Sequence, residues 1–305
     1  MTERAIDVRG LTKSYGPVTA VGGIDLHVSR GEVFALLGPN GAGKTTTVEI
    51  LEGHRKKTAG EVSVLGSDPG KGERAFKERI GIVLQETGVE QYLTVREVID
   101  LYRSYYPSPR PTDDVIAVVG LEEKADAQVR TLSGGQQRRL DVAVGLAGDP
   151  ELLFLDEPTT GFDPGARRNA WKMIENLKAL GKTVFLTTHY MDEAQYLADR
   201  VAIIAAGEIV AEGTPDELGA RSQGKTMISF RLPTTSARPP ESLAGHSSND
   251  SYSIETDSPV RLLHDLTAWA LDNGADLEHL TVARPTLEDV YLELAGPDAP
   301  SETPV

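Results

Sequence analysis

The chain has 305 residues, of which 39% are apolar, so it is long enough to bury a full core in one large domain or two unequal ones. It carries 31 basic and 46 acidic residues, and the net charge of −15 disfavours extensive binding to nucleic acid, although a local basic pocket is still allowed. There are no cysteines, which excludes disulfides, thiolate metal sites and cysteine nucleophiles.

Apolar runs are short, the longest being Val33–Leu37, Leu152–Leu155 and Val201–Ala206. A membrane-spanning helix needs about 20 consecutive apolar residues. The first residues also lack the basic and then apolar stretches that are typical of a signal peptide. We therefore expect a chain that is soluble alone and that reaches a membrane only through a partner.

The first 84 residues are predicted to be mainly strands, because apolar residues alternate with polar ones or form short buried runs. Two antiparallel strands are predicted at residues 4–11 and 23–28. The elements predicted after them are a strand over Val33–Leu37, a helix over Thr46–Leu51, a strand over Gly60–Leu65, a short helix over Glu73–Arg79 and a strand over Ile80–Leu84.

From Thr94 to Gly148 apolar residues recur at the spacing of a helix, with a break at Pro107–Pro111. The last helix of this region is predicted over Gln137–Ala147. This predicts a helical subdomain at about residues 87–150. Strands then alternate with helices, which predicts a mostly parallel sheet covered on both faces. The strands are predicted at Leu152–Leu155, Thr183–Thr187 and Val201–Ala205, and the helices at Pro164–Leu180 and Met191–Ala198.

Composition changes after Gly219, and residues 233–258 have the polar, Pro- and Ser-rich character of a loop or a long hairpin connection. The surrounding elements are predicted as strands at Met227–Leu232, Tyr252–Glu255 and Leu277–Ala283, and helices at Val260–Asn273 and Thr286–Leu294. We expect a first domain at residues 1–222, a small α/β domain at 223–296 and a disordered tail at 297–305.

A glycine-rich segment links the strand Val33–Leu37 to the next helix. It reads Gly38-Pro39-Asn40-Gly41-Ala42-Gly43-Lys44-Thr45, followed by Thr46. This spacing lets backbone N–H groups and a helix N-terminus surround a phosphate group, with Lys44 reaching the β- and γ-phosphates and the Thr45 hydroxyl holding Mg²⁺. The alternative is a glycine-rich turn without a ligand. The flanking strand and helix favour a nucleotide site.

Two carboxylates, Asp156 and Glu157, end the apolar strand that begins at Leu152. Ligands bind beyond the carboxyl ends of strands in an open parallel sheet. Asp156 is therefore a candidate partner of Mg²⁺, and Glu157 is a candidate base for an attacking water. Alone, the pair would more often be a solvated turn, but the phosphate-binding segment in the same chain favours catalysis.

A second anion-binding pattern is Leu132-Ser133-Gly134-Gly135-Gln136, in which a hydroxyl and two glycine amides begin a helix. By itself it would be an ordinary serine cap. The segment around Lys44 already supplies a complete set of donors to one nucleotide. Ser133 is therefore more useful across an interface.

Taken in order, Tyr15, Gly38–Thr45, Gln85, Leu132–Gln136, Phe154–Glu157, Asp163 and His189 resemble the ATP-binding subunit of an ATP-binding-cassette (ABC) transporter. The resemblance covers residues 4–219. It implies an α/β fold, in which a P-loop ATPase core with a mostly parallel sheet carries an antiparallel β-subdomain and the helical subdomain. Its cofactors would be ATP and Mg²⁺.

The resemblance also implies roles for single residues. Tyr15 would stack on adenine, and Gln85 would contact Mg²⁺ and the water. His189 would contact the γ-phosphate and support Glu157, while Asp163 would couple the two sites of a dimer. The loop reads Thr160-Gly161-Phe162-Asp163 where many cassettes have Ser-Ala-Leu-Asp, a difference in the segment that carries this coupling.

The segment Arg284–Leu294 resembles the ending of cassette subunits of the daunorubicin-resistance type, although it also suits a capped amphipathic helix. The resemblance to a cassette implies a head-to-tail dimer that holds ATP between two copies. The daunorubicin-type ending implies a chain that works at the cytoplasmic face of the membrane with a separate membrane permease, which exports a drug, antibiotic or lipid-like compound. The alternatives are a soluble cassette ATPase acting on nucleic acid or the ribosome, which the acidic charge disfavours, and a regulator that does not hydrolyse ATP, which Glu157 and His189 disfavour.

Overall fold

A computed structural model of the protein describes residues 3–83, 88–221, 226–233, 238–240, 243, 245–248, 250–283, 287 and 291. The chain divides into two compact units, one running through Pro215 and one beginning at Asp216. This division lies slightly before the boundary predicted at residue 222. Within the described ranges, every helix falls short of the length or apolar character that a membrane span requires.

The first unit begins with β1 (Arg4–Tyr15), β2 (Val18–Ser29), β3 (Val33–Leu37), α1 (Lys44–Leu51), β4 (Ala59–Val64), α2 (Arg74–Lys77) and β5 (Ile80–Val83). It continues with α3 (Val95–Arg103), α4 (Thr112–Val119), α5 (Gly134–Leu146), β6 (Leu152–Asp156) and α6 (Pro164–Ala179). It ends with β7 (Thr183–Thr188), α7 (Met191–Leu197), β8 (Arg200–Ala205) and β9 (Glu208–Gly213).

A six-stranded sheet with the order β5-β6-β7-β3-β8-β9 forms the centre of this unit. The first five strands in that order are parallel, and β9 at the edge is antiparallel to β8. The predicted mostly parallel sheet is therefore confirmed. Because β3, β6 and β7 are adjacent and parallel, the residues that follow them meet at one edge of the sheet.

Aromatic packing fixes these three strands side by side. The ring centroids of Phe34 on β3 and Phe185 on β7 are 5.5 Å apart, and those of Phe185 and Phe154 on β6 are 5.7 Å apart. All three side chains are fully buried. Aromatic pairs of this kind contribute about 0.5–1.5 kcal/mol beyond the burial of their area. The loops at the strand ends are thus attached to a rigid base.

The predicted antiparallel strands are confirmed as a three-stranded sheet with the order β2-β1-β4. Both β1 and β2 are longer than the alternating pattern indicated, because pairing continues through the polar residues up to Tyr15 and Val18. The helical subdomain is also confirmed in its helices, and α3 and α4 are separated at Pro107–Pro111 as predicted. The helix α5 starts at Gly134, earlier than the predicted Gln137.

The second unit begins with α8 (Pro215–Arg221), β10 (Thr226–Arg231), β11 (His246–Ser248), β12 (Ser251–Thr256), α9 (Pro259–Asp272) and β13 (Glu278–Ala283). Its antiparallel sheet has the order β11-β12-β10-β13. Leu266 of α9 is fully buried and packs in one cluster with Ile228 and Phe230 of β10. The predicted helix Thr286–Leu294 lies outside the described residues except for Leu287 and Tyr291, which are helical and buried, and the predicted tail 297–305 lies outside them entirely.

Candidate active site

The glycine-rich segment after β3 is closely packed against neighbouring backbone. A Cβ on Gly38 would lie 2.3 Å from the carbonyl oxygen of Ile204, and one on Gly43 would lie 2.5 Å from that of Ala20. Gly43 also has a φ of 106° and occupies the N-cap of α1, where it has no side chain to bond the helix amides. Only glycine suits these two positions. The N-terminus of α1, with Thr45 and Thr46 in its first turn, thus presents N–H groups for an anion.

Lys44 is the first residue of α1 and is only 5% exposed. Its Nζ donates to the carbonyl oxygens of Gly38 at 2.7 Å and Pro39 at 3.2 Å, and it lies 3.7 Å from Glu157 Oε1. Burial lowers the pKa of Lys44, whereas the charges of Glu157 and Asp156 act to raise it. The ammonium group therefore has carbonyl and carboxylate partners that a phosphate group can replace.

Thr187 organises the two carboxylates that end β6. It lies opposite Asp156 in the parallel pairing of β6 with β7, and its hydroxyl donates to Asp156 Oδ1. The amide of Glu157 donates to both the hydroxyl and the carbonyl oxygen of Thr187, at 3.1 Å in each case. Glu157 has a φ of 45°, in the left-handed region, so its side chain leaves the strand direction.

The carboxylate of Glu157 is surrounded by donors. His189 Nδ1 lies 3.3 Å from Oε1, and the hydroxyl of Thr160 donates to Oε2 at 3.1 Å. The hydrogen bond from His189 is the main cause that lowers the pKa of Glu157 to about 2, with the charges of His189 and Lys44 adding to it. Glu157 is therefore ionised at neutral pH and able to accept a hydrogen bond from water.

The oxygen atoms of Thr45 and Asp156 suit a hard cation that is bound mainly through a nucleotide. Thr45 is exposed in the first turn of α1, and Asp156 has a carboxylate oxygen fixed by Thr187. Among the described residues there is no group of three or more His, Asp or Glu side chains that would hold a metal ion. Mg²⁺ typically keeps several waters and uses one or two protein oxygens together with substrate phosphates, so a sparse donor set fits it.

The pentapeptide Leu132–Gln136 forms the capped start of α5. Ser133 Oγ accepts from the amide of Gln136 at 3.3 Å, and Gln136 Oε1 accepts from the amide of Ser133 at 2.9 Å. This reciprocal capping explains why α5 starts at Gly134. Ser133, Gly134 and Gly135 line a cleft of about 560 Å³ together with Glu157 and the segment Thr160–Asp163.

The remaining residues of the predicted site are Tyr15, Asp163 and Gln85. Tyr15 is 40% exposed at the end of β1, with Lys13 Nζ 4.8 Å and the guanidinium of Arg55 5.4 Å from its ring centroid. Asp163 caps α6 by accepting from the amides of Gly165 and Ala166. Gln85 lies outside the described residues. The structure thus brings Lys44, Glu157 and His189 together, with Asp156 beside them.

Sequence reasoning missed Thr187 and the buried Glu52. Thr187 ends a predicted strand two residues before His189, but only the structure shows that this strand pairs with the one that ends at Asp156. Glu52 caps the C-terminus of α1, is 3% exposed and lies with its Oε2 3.3 Å from His54 Nδ1. Burial, followed by the charges of Asp156 and Glu49, raises the pKa of Glu52 to about 8.

We expect Glu52→Gln to flatten the pH dependence of stability. The raised pKa means that the folded chain binds more protons than the unfolded chain between pH 4.5 and about 8, so wild-type stability falls as the pH rises through this window. The loss is at most about 1.4 kcal/mol per pH unit. Urea unfolding at pH 5 and pH 8 with EDTA measures it, and Glu175→Gln, which removes an exposed carboxylate on α6, should stay close to the wild-type slope. Equal slopes in Glu52→Gln and wild type would contradict the assignment.

This combination defines a phosphate-loop nucleotide hydrolase, because a glycine-rich helix start, a buried lysine and an ionised carboxylate held by histidine meet at the edge of a parallel sheet. The family described as "ABC transporter" matches residues 21–160, and "ABC transporter domain-containing protein-like, C-terminal domain" matches residues 226–286. The chain is 36% identical to the daunorubicin resistance ATP-binding protein DrrA3 of Streptomyces coeruleorubidus, over 98% of each chain.

It is also 39% identical to the Nod factor export ATP-binding protein I of Paraburkholderia xenovorans (strain LB400), over 97% of this chain and 98% of that protein. Among solved structures it is similar to a dimeric ATP-binding cassette in a post-hydrolysis state bound to ADP and Pi. The TM-score is 0.61 and the identity 26%, over 68% of this chain and 98% of the other. The chain belongs to the ATP-binding subunits of ABC transporters, and it is an ATPase.

Proposed function

We propose that this chain energises export of a drug, antibiotic or lipid-like compound through a separate membrane permease, at the cytoplasmic face of the membrane. The names of the relatives support export, since one concerns daunorubicin resistance and the other Nod factor export. Two copies would assemble head to tail, with ATP bound by the Lys44 segment of one copy and Ser133–Gln136 of the other.

The position of Ser133 is the observation that carries this proposal. Ser133 and Gly134 are exposed at a cleft that Glu157 and Asp163 also line, whereas Lys44 is buried and bonded to the carbonyl oxygens of Gly38 and Pro39. The Lys44 segment already offers a full set of donors to one triphosphate. The exposed amides and hydroxyl at the start of α5 are thus available to the γ-phosphate of a nucleotide on a second copy. The related cassette with ADP and Pi is a dimer.

The chemistry of hydrolysis would follow from the groups around Glu157. The carboxylate accepts a hydrogen bond from the attacking water, and His189, held beside it, contacts the γ-phosphate as charge develops. Mg²⁺, when bound by Thr45, Asp156 and Gln85, would neutralise charge on the phosphates. Lys44 exchanges its carbonyl partners for phosphate oxygens. Loss of the γ-phosphate removes the group that joins the two copies, so ATP acts as a switch.

Replacing Ser133 by arginine is expected to block closure of the dimer and to lower ATP turnover by about 100-fold, since a bulky cation takes the place of γ-phosphate donors. Binding of ATP to the isolated copy should change little, because the Lys44 segment is intact. Turnover by phosphate release and affinity by titration calorimetry measure the two effects.

Thr94→Arg is the matched control. Thr94 caps α3 in the same reciprocal way, with Glu97 as its partner, but it does not line the cleft described above. This variant loses a helix cap and should keep most of its turnover. Wild-type turnover in Ser133→Arg would exclude a role of Ser133 in the second site.

A further inference from the structure

Arg138 connects the helix that begins at Ser133 to the backbone on both sides of Glu157. It lies on α5 and is 7% exposed. Its Nη2 donates to the carbonyl oxygen of Asp156 at 2.8 Å, and its Nε donates to that of Pro158 at 3.4 Å. One guanidinium group therefore holds the carbonyl groups of the two residues that flank Glu157.

Three carboxylates balance the charge of this guanidinium. Asp141 Oδ2 lies 4.0 Å from Arg138 Nη1, and the charges of Asp156 and Glu193 also act on it. Burial lowers the pKa of Arg138, and these three carboxylates oppose that effect. A buried cation with such partners is costly to replace, so a loss of fold has to be separated from a loss of position.

The backbone of Glu157 needs such support. Its φ of 45° lies in the left-handed region, which is unfavourable for a residue other than glycine and persists only where the surroundings impose it. Thr187 holds the amide of Glu157, and Arg138 holds the neighbouring carbonyl groups. The conformation that turns Glu157 out of the strand is thus fixed from two sides.

We propose that Arg138 is a positioning residue that holds the Glu157 carboxylate of its own chain in place for the attack of water. The inference rests on the proposed function in one respect: in a head-to-tail dimer, Ser133 at the start of α5 serves the partner's nucleotide. Arg138 then joins the γ-phosphate contact of one ATP site to the water-activating carboxylate of the other through a single helix.

The first test separates kcat from binding in the full chain. Arg138→Gln is expected to lower kcat by about 10- to 100-fold, the size expected for a small displacement of a reacting group, with KM and ATP affinity within about twofold of wild type. Arg138→Lys keeps the charge and one donor and should recover part of kcat.

Arg139→Gln is the control, because Arg139 is the next residue of α5 and its Nη1 donates to the carbonyl oxygens of Val119 and Gly120 at the end of α4. It should retain kcat within about twofold. If Arg138→Gln instead weakens ATP affinity while kcat is unchanged, or matches Arg139→Gln in every parameter, the proposal is overturned.

The second test does not depend on turnover. Hydrogen exchange of the segment Asp156–Thr160, measured by mass spectrometry without nucleotide, should be faster in Arg138→Gln than in wild type and Arg139→Gln, while exchange in β3 and β8 stays unchanged. Faster exchange throughout the sheet, or an unchanged exchange rate at Asp156–Thr160, would refute the proposal that Arg138 fixes this segment locally. Wild-type protein that remained monomeric with ATP would contradict the dimer but would leave this result in force.

Discussion

Glu157→Gln is expected to lower ATP turnover by about 10²–10⁴-fold while ATP still binds. Glutamine keeps the size of the side chain but removes the negative charge that accepts a proton or hydrogen bond from water, and a general base contributes about this much to rate. The hydrogen bond and charge that His189 provides lose their anionic partner. Phosphate release under single-turnover conditions measures the chemical step directly.

Glu151→Gln is the matched control for this substitution. The pKa of Glu151 is also lowered to about 2, mainly by a hydrogen bond from Arg79, but this carboxylate precedes β6, whereas Glu157 follows it. Its turnover should remain near that of wild type. If Glu157→Gln released phosphate at the wild-type rate, another group would have to activate the water.

Lys44→Ala is expected to weaken ATP binding by about 100-fold and to abolish detectable hydrolysis. Each hydrogen bond made by a charged donor contributes about 1.5–3 kcal/mol, and Lys44 would make such bonds to the β- and γ-phosphates. The substitution also removes the ammonium group beside Glu157 and the donor to Gly38 and Pro39. Titration with a fluorescent ATP analogue measures the affinity.

Lys57→Ala provides the comparison, because Lys57 is a lysine of the same unit whose Nζ lies 3.6 Å from Asp68 Oδ1. Its affinity for ATP should be unchanged. Equal affinities of Lys44→Ala and wild type would exclude the proposed phosphate contact.

The central sheet could be predicted from the sequence because its strands are continuous apolar runs between loops. The edge strand β9 was missed, since Glu208–Gly213 is half exposed and mixes polar with apolar residues. The short strand β11 lies in a polar stretch that indicated a loop or hairpin connection, and it forms only by pairing with β12. A strand that is stabilised by pairing with a neighbouring strand, and that lacks an apolar pattern of its own, cannot be predicted from the local sequence.

The candidate site was predictable where spacing along the chain carries the chemistry. Such spacing is found in the glycine-rich segment that ends with Lys44 and Thr45, in the adjacent carboxylates Asp156 and Glu157, and in the segment that begins with the cap Ser133. Thr187 and Arg138 do not, because their contacts depend on which strands are neighbours and on how α5 lies against the end of β6. The same holds for Glu52, whose raised pKa arises from burial and from Asp156, over a hundred residues away in the chain.

The molar mass of Glu157→Gln in solution, measured by light scattering with Mg²⁺ and either ATP or ADP, tests most directly whether two copies share each ATP site. For Glu157→Gln we expect a molar mass of two chains with ATP and of one chain with ADP. For the double variant Glu157→Gln/Ser133→Arg we expect a molar mass of one chain with either nucleotide. A single-chain mass with saturating ATP, or a dimer that persists after Ser133→Arg, would contradict the assembly proposed here.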